Sequence, residues 1–224
     1  MIASDLIKAQ LRLECTGLND QGLLVRIDGP DPDEIVRYYV YRRDGGYERF
    51  FRHDVPAAIR AQILALPTDS AFVAPEAIEY LLSRHQPSEG YTLGVSYLGL
   101  PMISPADFSD VVRLTESDRS LIDHFDSELR ASADRPVHAI VVDGRIVSAC
   151  VSSRQNDEAG EAWVRTQPAF RRRGYARQVT ASWAHHLTRQ GKLAFYSHRI
   201  DNAASRSVAQ SLGLQQFADY VNFG

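Results

Sequence analysis

Between Pro168 and Leu187 the chain reads PAFRRRGYARQVTASWAHHL. Arg171, Arg172 and Arg173 stand together, Gly174 follows, and Tyr175 and Ala176 open a run whose apolar residues recur at helical spacing. A helix beginning at about Gly174 turns its first unpaired backbone N–H groups and its positive dipole end toward the preceding loop. A glycine lets a ligand approach that backbone, Ala176 is small for the same reason, and three guanidiniums add positive charge. The chemistry this pattern points to is the binding of a polyanion through its phosphates.

The elements that must position this loop can be read around it. EAWVRT, ending at Thr166, is a strand leading into the loop, and Gly174 to about Gln190 is a helix with Ala176, Val179, Thr180, Trp183 and Leu187 on one face and Gly191 as its stop. Upstream, VVRLT is a short strand, and Thr115 with Asp118 forms an acidic capping box opening a helix that carries Leu121, Ile122, Phe125 and Leu129. VHAIVV and RIVSACVSS flank Asp143-Gly144, a strong hairpin signal. LAFYSH is a strand, Asn202 to Leu212 a helix with Ala204, Val208 and Leu212 on one face, and Gln216 to Phe223 a closing strand. The order β, α, β, β, β, α, β, α, β predicts a mixed α/β sheet of the α+β kind.

The N-terminal half reads differently. A helix from Ser4 to about Cys15 precedes the turn-forming DGPDPDE, Asp28 to Glu34. A hairpin follows, Ile35 to Arg42 and Tyr47 to His53 around Asp44-Gly45-Gly46, then helices Pro56 to Leu66 and Pro75 to Arg84, and a strand Tyr91 to Leu98. LGLPMISPADFSD, Leu98 to Asp110, lacks a sustained period. It places a division near residue 107, between an N-terminal α+β segment (1–106) and a C-terminal domain (107–224).

With strand, loop and helix in this order, Arg171-Arg172-Arg173-Gly174-Tyr175-Ala176 resembles the Arg/Gln-x-x-Gly-x-Gly/Ala signature of the GNAT superfamily of N-acetyltransferases. DNAASRSVAQSLGL resembles the family's later Asn-x-x-Ser helix ending in Leu-Gly-apolar, and the resemblance covers about residues 110–224. It implies a GNAT-like fold and acetyl-CoA as cosubstrate, with the main chain of Val164, Arg165 and Thr166 along the pantetheine arm and the loop of Arg171, Arg172, Arg173, Gly174, Tyr175 and Ala176 around the pyrophosphate. Asn202 and Arg206 are the further coenzyme positions implied. The acceptor would be a primary amine on a small molecule or a peptide. The N-terminal segment would cover the acceptor site, mediate association as a homodimer, or be a diverged second copy of the fold that does not bind CoA. The alternative is a CoA-binding sensor without transferase activity.

Catalytic groups depart from the family pattern. Where many relatives carry an acidic tyrosine this chain has Ala209, and the glutamate early in the strand falls on Gly160, with Glu161 beside it. One residue along a strand reverses the facing, so Glu161 is the candidate base on condition that a bulge restores its direction. Tyr196, Ser205, Ser207 and Tyr220 are the nearby hydroxyls.

Composition bounds the rest. A net charge of −3 and 24% charged residues describe an ordinary soluble chain, which argues against a general nucleic-acid binder and suits a cationic substrate. Cys15 and Cys150, far apart and without ligand spacing, indicate neither a disulfide framework nor a metal site. The acids early in MIASDLIKAQLRLE and the lack of a long apolar run lead to the expectation of a cytoplasmic protein with no membrane partner. His185-His186 reads as a solvated pair, His198 as either a surface or a site histidine, Trp163 as sheet packing, Cys150 as a buried thiol and RYYVYRR as a solvated hairpin face.

Overall fold

The computed structural model describes residues 3–14, 16–26, 36–43, 45–99, 104 and 108–224. Cys15, the expected turn Asp28 to Glu34, Asp44 and most of the expected boundary stretch lie outside them. In chain order the elements are α1 (Ala3–Leu13), β1 (Thr16–Leu18), β2 (Leu24–Arg26), β3 (Tyr38–Arg43), β4 (Gly46–Phe51), α2 (Ala57–Leu64), α3 (Ser70–Val73), α4 (Pro75–Ser83) and β5 (Tyr91–Leu98). They continue with β6 (Val112–Leu114), α5 (Arg119–Phe125), β7 (Val137–Val142), β8 (Arg145–Gln155), β9 (Ala159–Thr166), α6 (Tyr175–Arg189), β10 (Leu193–Arg199), α7 (Ala203–Ser211) and β11 (Gln215–Phe223). From β6 onward this is the strand and helix order read from the sequence, so the chain has the expected mixed α/β fold. It forms two compact units, one of Met1–Ser96, His198–Asn202 and Gln216–Gly224, the other of Tyr97–Ser197 and Ala203–Gln215.

In the first unit the strand order is β4-β3-β11-β5, with β3 antiparallel to both β4 and β11. RYYVYRR is not a solvated face: Tyr38, Tyr39, Val40 and Tyr41 are all buried. Tyr38 stacks on Phe51 at 4.1 Å and packs with Phe223, Ile63, Ile78 and Leu82, so this strand is covered on both sides. Its arginine is internal too. Buried Arg37 donates through Nη1 to the carbonyls of Leu82 (3.2 Å) and Gln86 (2.8 Å), satisfying acceptors at the end of α4, and through Nε to Gly224.

The second unit orders its strands β10-β9-β8-β7-β6, antiparallel except for the parallel pair β9 and β10. Asp143 and Gly144 take φ of 50° and 71°, the left-handed pair that a tight β7–β8 hairpin requires. The Thr115 and Asp118 capping box forms, opening a 3-10 turn, Glu116–Asp118, that leads into α5. The helix stops at Phe125, short of Leu129, which still packs on the α5 cluster.

One face of the sheet is filled by α5, through Ile122, Phe125, Ala149, Val151 and Trp163, and the other by α6, through Val179, Trp183, Leu187, Cys150 and Ala194. Full burial of Val179, Trp183 and Leu187 contributes roughly 2 kcal/mol each. The Trp183 indole N–H, which cannot be left unmet inside, donates to Ser152 Oγ at 2.9 Å. On α7 the expected face differs: Ala204 is exposed and Ala209 is the buried residue.

Candidate functional site

The site is built on β9. Along one edge this strand pairs with β8 from Gln155↔Gly160 to Ser148↔Thr166. Along the other it pairs with β10 only at Leu193↔Ala159, Ala194↔Gly160 and Phe195↔Glu161. Both strands then continue, β9 to Thr166, without further rungs. Alternate residues of a strand direct N–H and C=O to the same edge. The edge of Ala162–Thr166 toward β10 therefore offers backbone donors and acceptors that no ladder takes.

Glu161 stands on the last rung. The register irregularity predicted to rescue its direction lies instead in β8, where Ser152 faces Ala162 and Arg154 faces Glu161, leaving Ser153 as the extra residue. In β9 the alternation is unbroken. A side chain at position 160 would meet Leu187 Cδ1 of α6 at 2.7 Å, and Ala162 and Val164 pack toward α6, while Trp163 packs with the α5 cluster. Glu161 thus shares the α5 face with Trp163 and Arg165, and the bulge in β9 on which its reading as the base depended is absent. Its side chain is 93% hidden, its Oε1 accepts a hydrogen bond from Ser197 Oγ, and its main-chain carbonyl accepts from Ser153 Oγ. Ser197, two residues past the last rung on β10, escaped the sequence analysis. Its only signal was the period-2 alternation within LAFYSH.

At the other end of β9 the loop has the geometry an anion needs. Arg172 and Gly174 take φ of 60° and 79°, and α6 starts at once behind Gly174 with no side chain capping its N-terminus. Left-handed residues followed by a helix turn consecutive amide N–H groups inward. For Arg172, a non-glycine, the conformation costs about 1 to 2 kcal/mol. Nothing lies within 4 Å of where a Gly174 Cβ would stand, so glycine is required there by φ and not by crowding.

The remaining predicted positions fall as follows. Arg171, Arg172 and Arg173 are exposed; Arg171 Nε donates to Thr166 O at 3.3 Å, and the Arg173 guanidinium lies 5.1 Å from the Phe170 ring. Thr166 Oγ1 is 2.7 Å from Ser148 Oγ. Val164 and Tyr175 pack on the α6 cluster, and Ala176 accepts at its carbonyl from Thr180 Oγ1 at 2.8 Å. Arg165 turns to the α5 side, 3.0 Å from Asp126, so its part in the strand edge is its backbone. Arg206 is on the exposed side of α7 within the second unit, while Asn202 belongs to the first unit, where its N–H donates to Arg199 O at 2.9 Å.

Neither alternative nucleophile nor acid is prominent. Cys150 is fully buried, as the sequence leads one to expect, and burial pushes its thiol well above the ordinary range. Tyr196 is buried with its hydroxyl 3.3 Å from Ser205 O; burial, the largest cause, raises it to about 12. No helix among the described residues is long and apolar enough to cross a membrane.

Comparison with known proteins agrees with this architecture. A solved acetyltransferase of the GNAT family from Colwellia psychrerythraea is 12% identical, with all of this chain and 97% of that one covered at a TM-score of 0.51. A GCN5-related N-acetyltransferase-like protein from Streptococcus suis 89/1591 is 14% identical over 87% of this chain and 86% of that one, at 0.50. A third, from the GNAT family of Novosphingobium aromaticivorans DSM 12444, is 16% identical at 0.50 over 61% of this chain; the match spans 65% of that protein's length, just under two thirds. At these identities the likeness is one of fold. Among curated proteins no match is found. The family model for GNAT acetyltransferase matches residues 112–223, half of the chain, which spans the open β9 edge, the loop and α6, and the chain belongs to that family.

Proposed function

We propose that the protein transfers an acetyl group from acetyl-CoA to a primary amine of a small molecule or peptide. The observation that carries this reading is the ladder that ends at Phe195↔Glu161 while both strands run on, next to an uncapped helix N-terminus behind Arg172 and Gly174. Main-chain groups of Ala162–Thr166 on the edge beyond the β10 ladder suit the amide-bearing pantetheine arm, and the Arg171–Gly174 loop suits the pyrophosphate. A backbone N–H of the open edge would polarise the thioester carbonyl. The amine nitrogen attacks the carbonyl carbon, the C–S bond breaks, and the acetyl group ends on nitrogen. The amine's proton leaves through water or to Glu161, whose carboxylate stands on the α5 face because no bulge in β9 turns it, and the coenzyme leaves as a thiolate that needs little help.

The test is thiol release from acetyl-CoA across a panel of primary amines. Release accelerated by at least one amine, and lowered in Glu161→Gln, is expected. One observation favours a second reading: Ala209, at the position where the family resemblance puts an acidic tyrosine, is fully buried and carries no hydroxyl. Tight acetyl-CoA binding with no amine-dependent release across the panel would establish that reading, a coenzyme-binding module, in place of the first.

A further inference from the structure

A separate cleft of about 610 Å³ lies within the second unit, lined by β6, β7, α6 and Phe108–Ser109, and it does not depend on the transferase reading. His138 sits at its wall, as the second residue of the otherwise apolar strand β7, and is fully buried. Its Nδ1 is 2.8 Å from Ser182 Oγ on α6, while its Nε2 is buried with no partner among the described residues. Such an unmet nitrogen is costly unless something meets it.

The surroundings say what that something is. Arg113 of β6 and Arg189 of α6 line the cleft, no aspartate or glutamate does among the described residues, and Phe108 and Val111 supply an apolar wall. The supposedly solvated histidines belong here: His185 lies 5.3 Å from the Phe108 ring, and His186 lies 5.3 Å from the His138 ring with its Nδ1 3.5 Å from Arg113 Nη1. Burial first, then His186 and Arg113, lower His138 to about 3, so it is neutral near pH 7 and holds a single N–H. Ser182 has a proton to give. When its hydroxyl donates to Nδ1, the imidazole's own hydrogen stands on Nε2, on a side chain that lines the cleft.

We infer that this cleft binds a small oxyanion, a carboxylate or a phosphate, whose oxygen accepts from His138 Nε2–H while Arg113 and Arg189 balance its charge. The apolar wall of Phe108 and Val111 would hold the rest of the ligand.

Nitrogen NMR of the full chain labelled with ¹⁵N-histidine tests this, in phosphate-free buffer at constant ionic strength, with sodium phosphate and sodium benzoate as separate titrants and backbone-correlated assignments. The expected result is an Nε2–H tautomer at His138 whose resonances shift saturably with at least one titrant, with affinity at least tenfold weaker in Arg113→Gln. Arg113 is exposed, so that variant keeps the core intact. Response to phosphate alone assigns a phosphate ligand, to benzoate alone a carboxylate, and to both the shared oxyanion chemistry. Absence of a saturable shift with either titrant, a bare Nε2, or unchanged affinity in Arg113→Gln would overturn the site. Phosphate held only by the Arg171–Arg173 loop falls in that class, because it leaves His138 unaltered or insensitive to Arg113.

Discussion

Glu161 and Phe195 form the last rung of the parallel ladder between β9 and β10, and Ser197, two residues beyond that rung, donates its hydroxyl to the Glu161 carboxylate. The carboxylate thus stands at the apex of the gap between the strands, held by a side chain from the opposite strand. If Glu161 is the base, Glu161→Gln should lower kcat/KM for the amine by about 10²- to 10⁴-fold. Acetyl-CoA affinity should stay within about twofold, since the loop is untouched. Ser197→Ala, which frees the carboxylate without removing it, should give a smaller loss. Normal turnover of Glu161→Gln would take the residue out of that role.

Gly174 separates conformational from steric cost. Because nothing lies within 4 Å of its would-be Cβ while φ is 79°, Gly174→Ala should cost about 1 to 2 kcal/mol of stability, measurable as a lower urea midpoint with an unchanged slope. A loss below a few tenths of a kcal/mol would mean the loop relaxes away from its left-handed turn.

His138 makes stability depend on pH in a stated direction. The folded protein holds this imidazole at about 3 against an ordinary value of 6.5, so between those values the unfolded chain binds the extra proton. Its contribution is complete above pH 6.5 and falls as the pH drops toward 3, by about 2 kcal/mol at pH 5. Urea titrations at pH 7.5 and pH 5 should show this difference in the wild type and a smaller one in His138→Phe. Equal pH dependence in the two would assign the loss to other groups.

How far the sequence reveals all this depends on the range of the interaction concerned. The Asp143-Gly144 hairpin and the Thr115 and Asp118 box are local chemistry, and both form as read. The one-turn helix α3 was missed because Ser70–Val73 is too short to show a period. On α7, small residues gave little contrast, and Ala209 is buried where Ala204 was expected. The loop of Arg171 to Gly174 was legible because glycine and arginine mark it directly. The end of the β9–β10 ladder, the hydroxyl that holds Glu161 and the Ser182 partner of His138, 44 positions away, are long-range pairings with no mark in either segment. Likewise RYYVYRR resembles a surface strand until β11 and β4 flank it and the side chains of the first unit close over its aromatics.

Arg37 carries a stability prediction of its own. Its guanidinium is buried, burial lowers its pKa, and it meets three carbonyls, those of Leu82, Gln86 and Gly224. Arg37→Leu removes those donors and leaves the acceptors unmet, so a loss of about 3 to 5 kcal/mol is expected. Chemical denaturation followed by far-UV circular dichroism would read it. A change within about 0.5 kcal/mol would show that water replaces the guanidinium at no cost.

The central claim is that the open edge of β9 and the loop behind Arg172 and Gly174 hold acetyl-CoA. Isothermal titration calorimetry of the full chain with acetyl-CoA, beside a folded Gly174→Trp variant, tests it most directly. The account predicts micromolar binding, worth about 7 to 8 kcal/mol, that the variant loses. A folded wild type that binds no acetyl-CoA, or a variant that binds it equally well, would contradict it.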